Sequence, residues 1–192
     1  LCIVAVVGDG MKHSPGTSGR MFSALGKNGV NVMAIAQGSS ERNISAVIPQ
    51  VDAAKALNAL HEAFFLSDRR VLNVFLVGTG LIGKALLSMI QDQFNKLAKD
   101  NLLEVNVVAI ANSRKMLFKD EGLALGTCLQ ELNSNGADMN LREFYEKMHA
   151  LNLSNSVFVD CTSSAEVTSF YESILSTNIS IVTPNKKANS AS

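Results

Sequence analysis

Val71-Leu72-Asn73-Val74-Phe75-Leu76-Val77-Gly78-Thr79-Gly80-Leu81-Ile82-Gly83 is the stretch that decides the fold. A short apolar, β-branched run feeds directly into G-x-G-x-x-G, and a long amphipathic stretch follows at once. Strand, glycine turn and helix, in that order, are the context that gives this glycine spacing a mechanism. Gly78 permits the tight turn, Gly80 lets the backbone approach a pyrophosphate, and Gly83 lets the helix pack close to the strand. Phosphates then rest on the N–H groups of the turn and first helical residues, Thr79, Leu81 and Ile82, at the positive end of the helix dipole. The bland alternative is a glycine-rich βα turn that binds nothing.

Downstream, Leu81, Ile82, Ala85, Leu86, Met89, Ile90, Phe94 and Leu97 form one helical stripe. Glu104–Ala111 reads as a strand, residues 113–137 as loop and short helix, and Leu141, Phe144, Tyr145 and Met148 mark a further helix. Ser156–Asp160 is a short strand, Ser164–Leu175 a helix, and Ile179–Val182 a last strand ended by Thr183-Pro184. Strands alternating with helices predict a Rossmann-type, doubly wound parallel α/β sheet over 71–192.

Upstream, Ser67-Asp68-Arg69-Arg70 reads as a join, so 67–70 is taken as a linker. Before it, Leu1–Val7 is an apolar strand, Pro15-Gly16 opens a helix carrying Met21, Phe22 and Leu25, and Gly29 ends that helix. Val30–Ala36 and Ile44–Ile48 read as strands around the polar turn Gly38–Arg42, and Val51–Phe65 as a helix with Ala53, Leu57, Leu60 and Phe64 on one face. The order β-α-β-β-α is most of a ferredoxin-like α+β unit over residues 1–66, lacking its last strand.

With 192 residues, 47% apolar and 18% charged, the chain is long enough for two small domains with filled cores. A formal net charge of zero argues against a nucleic-acid surface or a polybasic membrane surface. No apolar run approaches the roughly 18 residues needed to span a bilayer. Cys2, Cys128 and Cys161 lack metal-ligand spacing and read as small apolar fillers in a reducing compartment, with no metal site expected. The chain opens on Leu1, inside an expected strand, and so reads as a piece of something longer.

Chemistry is expected at the carboxyl ends of the strands. The second strand of the larger unit ends in Asn112-Ser113-Arg114 rather than in an Asp or Glu that would take the ribose 2′-hydroxyl of NAD. Arg114 can pair with a 2′-phosphate or stack on adenine, which favours NADP without excluding NAD; a solvated loop cation is the alternative. The next strand ends in Asp160-Cys161-Thr162-Ser163-Ser164, whose Thr162 and Ser163 hydroxyls are candidates for the nicotinamide ribose or phosphates; the alternative is plain helix capping by Ser163 or Ser164, with Glu166 in the first turn. The last strand delivers Thr183-Pro184-Asn185-Lys186-Lys187. A lysine there could polarise a carbonyl oxygen or move a proton, although spacing alone makes the pair look like exposed cations. In the first unit, the turn Asp9-Gly10-Met11 and Gln37 are candidates for gripping a free amino acid, against plain turn chemistry.

VVGDGM (6–11), NVMAIAQGSSERNIS (31–45), the glycine motif, VAIANSR (108–114), VFVDCTSS (157–164) and VTPNKKANS (182–190) together resemble bifunctional aspartokinase–homoserine dehydrogenases over nearly the whole chain. The resemblance implies that residues 1–66 are the last part of an ACT regulatory region, with Gln37 matching an effector-binding glutamine and threonine the expected effector. It implies that 71–192 is the NAD(P)-binding domain serving interconversion of aspartate semialdehyde and homoserine. Lys186 then matches the lysine of the family's NK motif, beside the nicotinamide. A kinase domain before Leu1 and a substrate domain after Ser192 are further expectations, so that this stretch alone binds cofactor without turning over substrate. So are a homo-oligomer assembled through both halves, and bacterial cytoplasm or, in a plant, plastid. A non-catalytic amino-acid and NAD(P) sensor, and another ACT-linked dehydrogenase, are the competing readings.

Overall fold

The computed structural model describes residues 1–65, 70–100 and 102–190. The chain divides into two units, Leu1–Asp68 and Arg69–Ser192. Apart from Arg70, which begins a strand, the expected linker lies outside the described residues.

The first unit runs β1 (Cys2–Val7), a 3-10 turn (Asp9–Met11), α1 (Thr17–Lys27), β2 (Ala34–Gln37), β3 (Asn43–Ile48), a second 3-10 turn (Gln50–Asp52) and α2 (Ala53–Phe65). The sheet order is β1-β3-β2, with β3 antiparallel to both neighbours. Val4, Ile44, Ala46 and Ile48 form one face of that sheet and pack against Met21 and Leu25 of α1 and Ala56 and Leu60 of α2. The strand expected over 30–36 starts only at Ala34. The residues before it close α1: Gly29, at φ 67, donates to Gly26 O, and Val30 N–H reaches back to Leu25 O. Val30 still joins the core. The buried face of α2 is also displaced from the expected one. Lys55, Ala56, Ala59 and Leu60 are buried, while Leu57 is exposed. The small side chains of Ala56 and Ala59 let the helix settle onto its neighbours on that side. Burial pushes the Lys55 ammonium below its usual range, and Asp52, 3.9 Å away, partly opposes this.

The second unit runs β4 (Arg70–Val77), α3 (Leu81–Asp100), β5 (Leu103–Ala111), β6 (Lys115–Phe118), α4 (Cys128–Asn135), β7 (Ala137–Asp138), α5 (Leu141–Leu151), β8 (Ser156–Asp160), α6 (Ala165–Thr168), α7 (Tyr171–Ser176), β9 (Ser180–Val182) and α8 (Lys187–Ser190). Its sheet has the order β7-β6-β5-β4-β8-β9. β5, β4, β8 and β9 are parallel, and β6 and β7 extend the sheet antiparallel at one edge. Val74, Leu76, Val107, Ile110 and Val159 pack on the side of α3 and α4. Phe75, Val77, Ala109, Ala111 and Phe158 pack on the side of α5, α6 and α7. The sheet is therefore wound on both faces.

Two features set its register. Asn73 and Asn106 lie opposite each other on β4 and β5; Asn106 Nδ2 donates to Asn73 Oδ1 at 3.2 Å, and Asn73 Nδ2 donates to Ser154 O at 2.8 Å. One residue later a bulge interrupts the ladder: Val74 pairs with Val107 but Phe75 with Ala109. Val108 and Ala109 consequently join the same cluster although they are consecutive.

Three expectations change in this unit. Residues 113–137, read as loop and short helix, contain β6 and part of β7 besides α4. The helix expected over 164–175 is two short helices. Ser169 N–H and Phe170 N–H bond three residues back, to Glu166 O and Val167 O, and Ser169 Oγ also donates to Glu166 O at 2.7 Å. The stripe expected on α3 is only partly covered: Leu86, Ile90 and Leu97 are half-buried, Leu81, Ile82, Ala85, Met89 and Phe94 are exposed, and the buried leucine of the helix, Leu87, lies outside it.

Phe144 is fully buried, with its ring 4.8 Å from that of Phe118 and 6.4 Å from that of Phe158. Phe144→Ala is expected to destabilise the second unit by about 3–5 kcal/mol, read as a lower urea midpoint with amide exchange in the first unit unchanged.

Candidate nucleotide-binding site

The glycine turn sits at the carboxyl end of β4, between β5 and β8. Gly78 N–H and Thr79 N–H both donate to Ala111 O at the end of β5. Gly78 has φ +100, and a Cβ there would lie 2.7 Å from the Cys161 carbonyl carbon. At Gly83 a Cβ would lie 2.1 Å from Gly78 O. These two glycines let the turn sit against the end of β8 and the helix against the turn. Gly80 is different: a Cβ there meets nothing within 4 Å. Lys84 N–H makes the first backbone bond of α3, to Gly80 O, so the N–H groups of Leu81, Ile82 and Gly83 precede the intrahelical ladder. Thr79 is buried, whereas the side chains of Leu81 and Ile82 point to solvent.

On one side of this turn lies the β5–β6 corner. Asn112 Oδ1 accepts from Arg114 N–H at 2.7 Å and from Lys115 N–H at 2.8 Å, and Asn112 N–H bonds Lys115 O. Asn112 thereby turns the chain and places Ser113 and Arg114, both exposed, at the tip. Among the described residues the Arg114 guanidinium has no ion-pair or hydrogen-bond partner.

On the other side, β8 ends at Asp160, which is fully buried. Its Oδ1 accepts from Thr162 N–H at 2.7 Å; its Oδ2 accepts from Tyr171 OH at 2.7 Å and from Asn185 Nδ2 at 3.0 Å. Thr183 Oγ1 donates to Asp160 O at 2.9 Å and accepts from Asn185 N–H at 2.8 Å. Asn185 Nδ2 also reaches Ser164 O, and Asn185 Oδ1 accepts from Lys187 N–H. Thr162 Oγ1 accepts from Ser164 N–H, Ser164 caps α6 through Glu166 N–H, and Ser163 is exposed. Lys186 follows buried Asn185 directly and is exposed. Burial raises the Tyr171 phenol to about 12, with its hydrogen-bond contact to Thr183 Oγ1 opposing and Asp160 adding to the rise. Burial, and secondarily Asp160, also pushes the Cys161 thiol up, so it is held protonated. Asp160, Tyr171 and Asn185 had no assigned role in the sequence; the lone carboxylate closing the apolar run SVFVD was their one signal.

In the first unit, Asp9-Gly10-Met11 is a 3-10 turn of its own, and α1 begins only at Thr17, after Gly16 at φ 88. The loop through Lys12–Pro15 therefore separates this turn from the helix start. Arg42 Nε pairs with Asp9 Oδ1 at 3.0 Å. Gly10 and Met11 line a cavity of about 340 Å³ with Arg20, Phe64 and Phe65; Gln37 does not line it. Gln37 ends β2 opposite Ile44, on the far side of β3 from Val7. No group of three or more potential metal ligands occurs among the described residues, and none of their helices is long and apolar enough to cross a membrane.

Residues 78–192, more than half the chain, match the family model of the homoserine dehydrogenase NAD-binding domain. The chain belongs to that family. Residues 4–64 match the model of an ACT domain. The bifunctional aspartokinase/homoserine dehydrogenase of Haemophilus influenzae is 44% identical over 98% of this chain and 23% of its own length. The chloroplastic enzyme 2 of Arabidopsis thaliana is 43% identical over 98% of this chain and 20% of its own. The chain thus spans about a fifth of the length of these relatives. The crystal structure of homoserine dehydrogenase from Thermoplasma acidophilum aligns with TM-score 0.50 at 20% identity, over 62% of this chain and 36% of that one, a likeness of fold.

A nicotinamide dinucleotide is the cofactor class of this homoserine dehydrogenase domain, and the residues present fit one. The open space at Gly80 beside the start of a 20-residue helix suits a pyrophosphate. The exposed tips at Ser113–Arg114 and at Ser163 and Lys186 flank the turn on opposite sides. Gly80→Ala is expected to leave the thermal midpoint near the parent value and to weaken dinucleotide binding, whereas Gly83→Ala lowers the midpoint steeply; melting curves and a nucleotide titration of both variants check the contrast. A second expectation concerns pH. The Tyr171 phenol ionises near 10 when unfolded and about 12 when folded. The unfolded chain therefore releases that proton first, and stability is lost as pH rises through this window. Urea titrations at stepped pH should show a loss in the parent that is smaller in Tyr171→Phe.

Proposed function

We propose that the chain is the junction of a bifunctional aspartokinase–homoserine dehydrogenase: residues 1–66 an ACT unit, 67–70 a linker, and 71–192 the cofactor domain for interconverting aspartate semialdehyde and homoserine. The observation that carries this reading is the convergence of Gly78–Gly83, Thr162–Ser163 and Asn185–Lys186 at neighbouring strand ends of one sheet. The dinucleotide, when bound, supplies or accepts the hydride. The remaining chemistry is assigned to the chain. The N–H groups at Leu81 and Ile82 take the pyrophosphate, and the Thr162 and Ser163 hydroxyls face the nicotinamide ribose. Lys186 Nζ donates to the substrate oxygen, offsetting the negative charge that develops there as the aldehyde is reduced. In the opposite direction the same group takes up the hydroxyl proton.

The cofactor is read as NADP. The β5–β6 tip offers an exposed guanidinium at Arg114, unpaired among the described residues, and no carboxylate to repel a 2′-phosphate. The effector is read as threonine, held near Asp9-Gly10-Met11 and Gln37. Residues of two ACT units would complete that site, because Gln37 stands apart from the turn within one unit. That reading also makes the parent enzyme a homo-oligomer, in bacterial cytoplasm or plastid. Fluorescence titration of the full chain with NADPH and NADH, with and without threonine, tests the proposal. Arg114→Ala is expected to weaken NADPH by about 10- to 100-fold and to leave NADH nearly unchanged. Equal weakening of both would overturn the NADP reading, and no binding of either would overturn the site.

A further inference from the structure

We propose that Asp160 is a positioning residue of the nucleotide site, clamping the Thr162–Ser164 turn and the Asn185–Lys187 segment to each other so that the nicotinamide half of the cofactor meets a fixed surface. This inference rests on the reading of the glycine turn as a dinucleotide site and adds a residue to it.

The carboxylate of Asp160 is fully buried, yet no Lys, Arg or His pairs with it among the described residues. Its two oxygens are met by donors alone, and each belongs to a different piece of chain: Thr162 N–H from the β8–α6 turn, Tyr171 OH from α7, and Asn185 Nδ2 from the segment after β9. A buried carboxyl group satisfied only by hydrogen bonds fixes its donors closely, because each one lost leaves a desolvated group behind. Asn185 continues the chain of contacts. Its Nδ2 also holds Ser164 O, its Oδ1 takes Lys187 N–H, and exposed Lys186 lies between those two fixed points. Asp160 O accepts from Thr183 Oγ1, so the backbone of the same residue ties the segment a second time. Thr162 and Lys186, assigned to the nicotinamide end, are thus held in place through a residue that is itself fully buried.

The clamp is one-sided. The Asp160 contacts reach Thr162, Tyr171, Thr183 and Asn185, all on the β8 and β9 side of the glycine turn. The adenosine side, at Asn112–Arg114, is built from the Asn112 turn and shares none of them. Loss of the clamp should therefore weaken grip on one half of the ligand only.

Asp160→Asn keeps the shape but must turn an NH2 toward either Thr162 N–H or Asn185 Nδ2, both donors. Tyr171→Phe removes one donor and keeps the rest. The full chain and both variants are titrated with NADPH, NADH and their adenosine halves, 2′-phospho-ADP and ADP, which lack the nicotinamide and its ribose, and folding is followed by circular dichroism. Asp160→Asn is expected to weaken the whole dinucleotide by about tenfold or more and the nicotinamide-free half by less than about twofold. Tyr171→Phe should show the same split at smaller size, and it carries the test if Asp160→Asn does not fold. Equal weakening of whole and half, or no change in either, would overturn the positioning role while leaving the site standing. A parent chain that binds neither the dinucleotides nor their halves would instead overturn the site itself.

Discussion

The approach of helix α3 to the backbone of the glycine turn is the constraint on which the second unit depends. Gly78 and Gly83 exist because there is no room for a carbon atom at either place. That contact fixes the first turn of α3 at the end of β4, aims its leading N–H groups outward, and brings the turn against the start of the β8–α6 loop. Gly80, between them, is free of this demand. Three glycines in one motif thus divide two jobs: two allow the backbone to close, and one leaves space outside it.

Around that contact the protein places two polar corners of different make. The Asn112 corner is local: one side chain accepts two nearby N–H groups and turns the chain into β6. The Asp160 corner is long-range, joining residues up to 25 positions apart in sequence. Local Asx-type turns form wherever their few residues are present. The second kind exists only when β8, α7 and the segment after β9 have all arrived. The Asn112 corner therefore depends on short-range structure, and the Asp160 corner on completed tertiary packing.

Legibility in the sequence followed the same division. The glycine motif, the strands at 71–77, 104–111 and 156–160 and the Ser164 cap all announce themselves by spacing within a dozen residues. The strand Lys115–Phe118 did not, because four residues without alternation carry no period to read. The two short helices after Ser164 were read as one because an unbroken apolar spacing hides a turn closed three residues back at Ser169 and Phe170. The unburied face of Leu57 was missed because the hydrophobic count favours leucine, while the packing favours the smaller Ala56 and Ala59. Asp160, Tyr171 and Asn185 were invisible as a group: their partnership is a matter of topology, and nothing in the spacing of 160, 171 and 185 encodes it.

The paired amides of Asn73 and Asn106, with the bulge just beyond them, bear on how this domain can change length over evolution. A slip of one residue would set either amide against apolar side chains, so the ladder is held firmly at that level. Beyond it, Val108 is the extra residue that the ladder does not pair with β4. Loss of a residue at the bulge would return the two strands to a regular ladder and keep Ala111 level with Val77. Loss of a residue past it would draw the Asn112 corner away from the glycine turn. Insertions and deletions in β5 should accordingly be tolerated at one point and nowhere closer to the site, and the bulge marks that point.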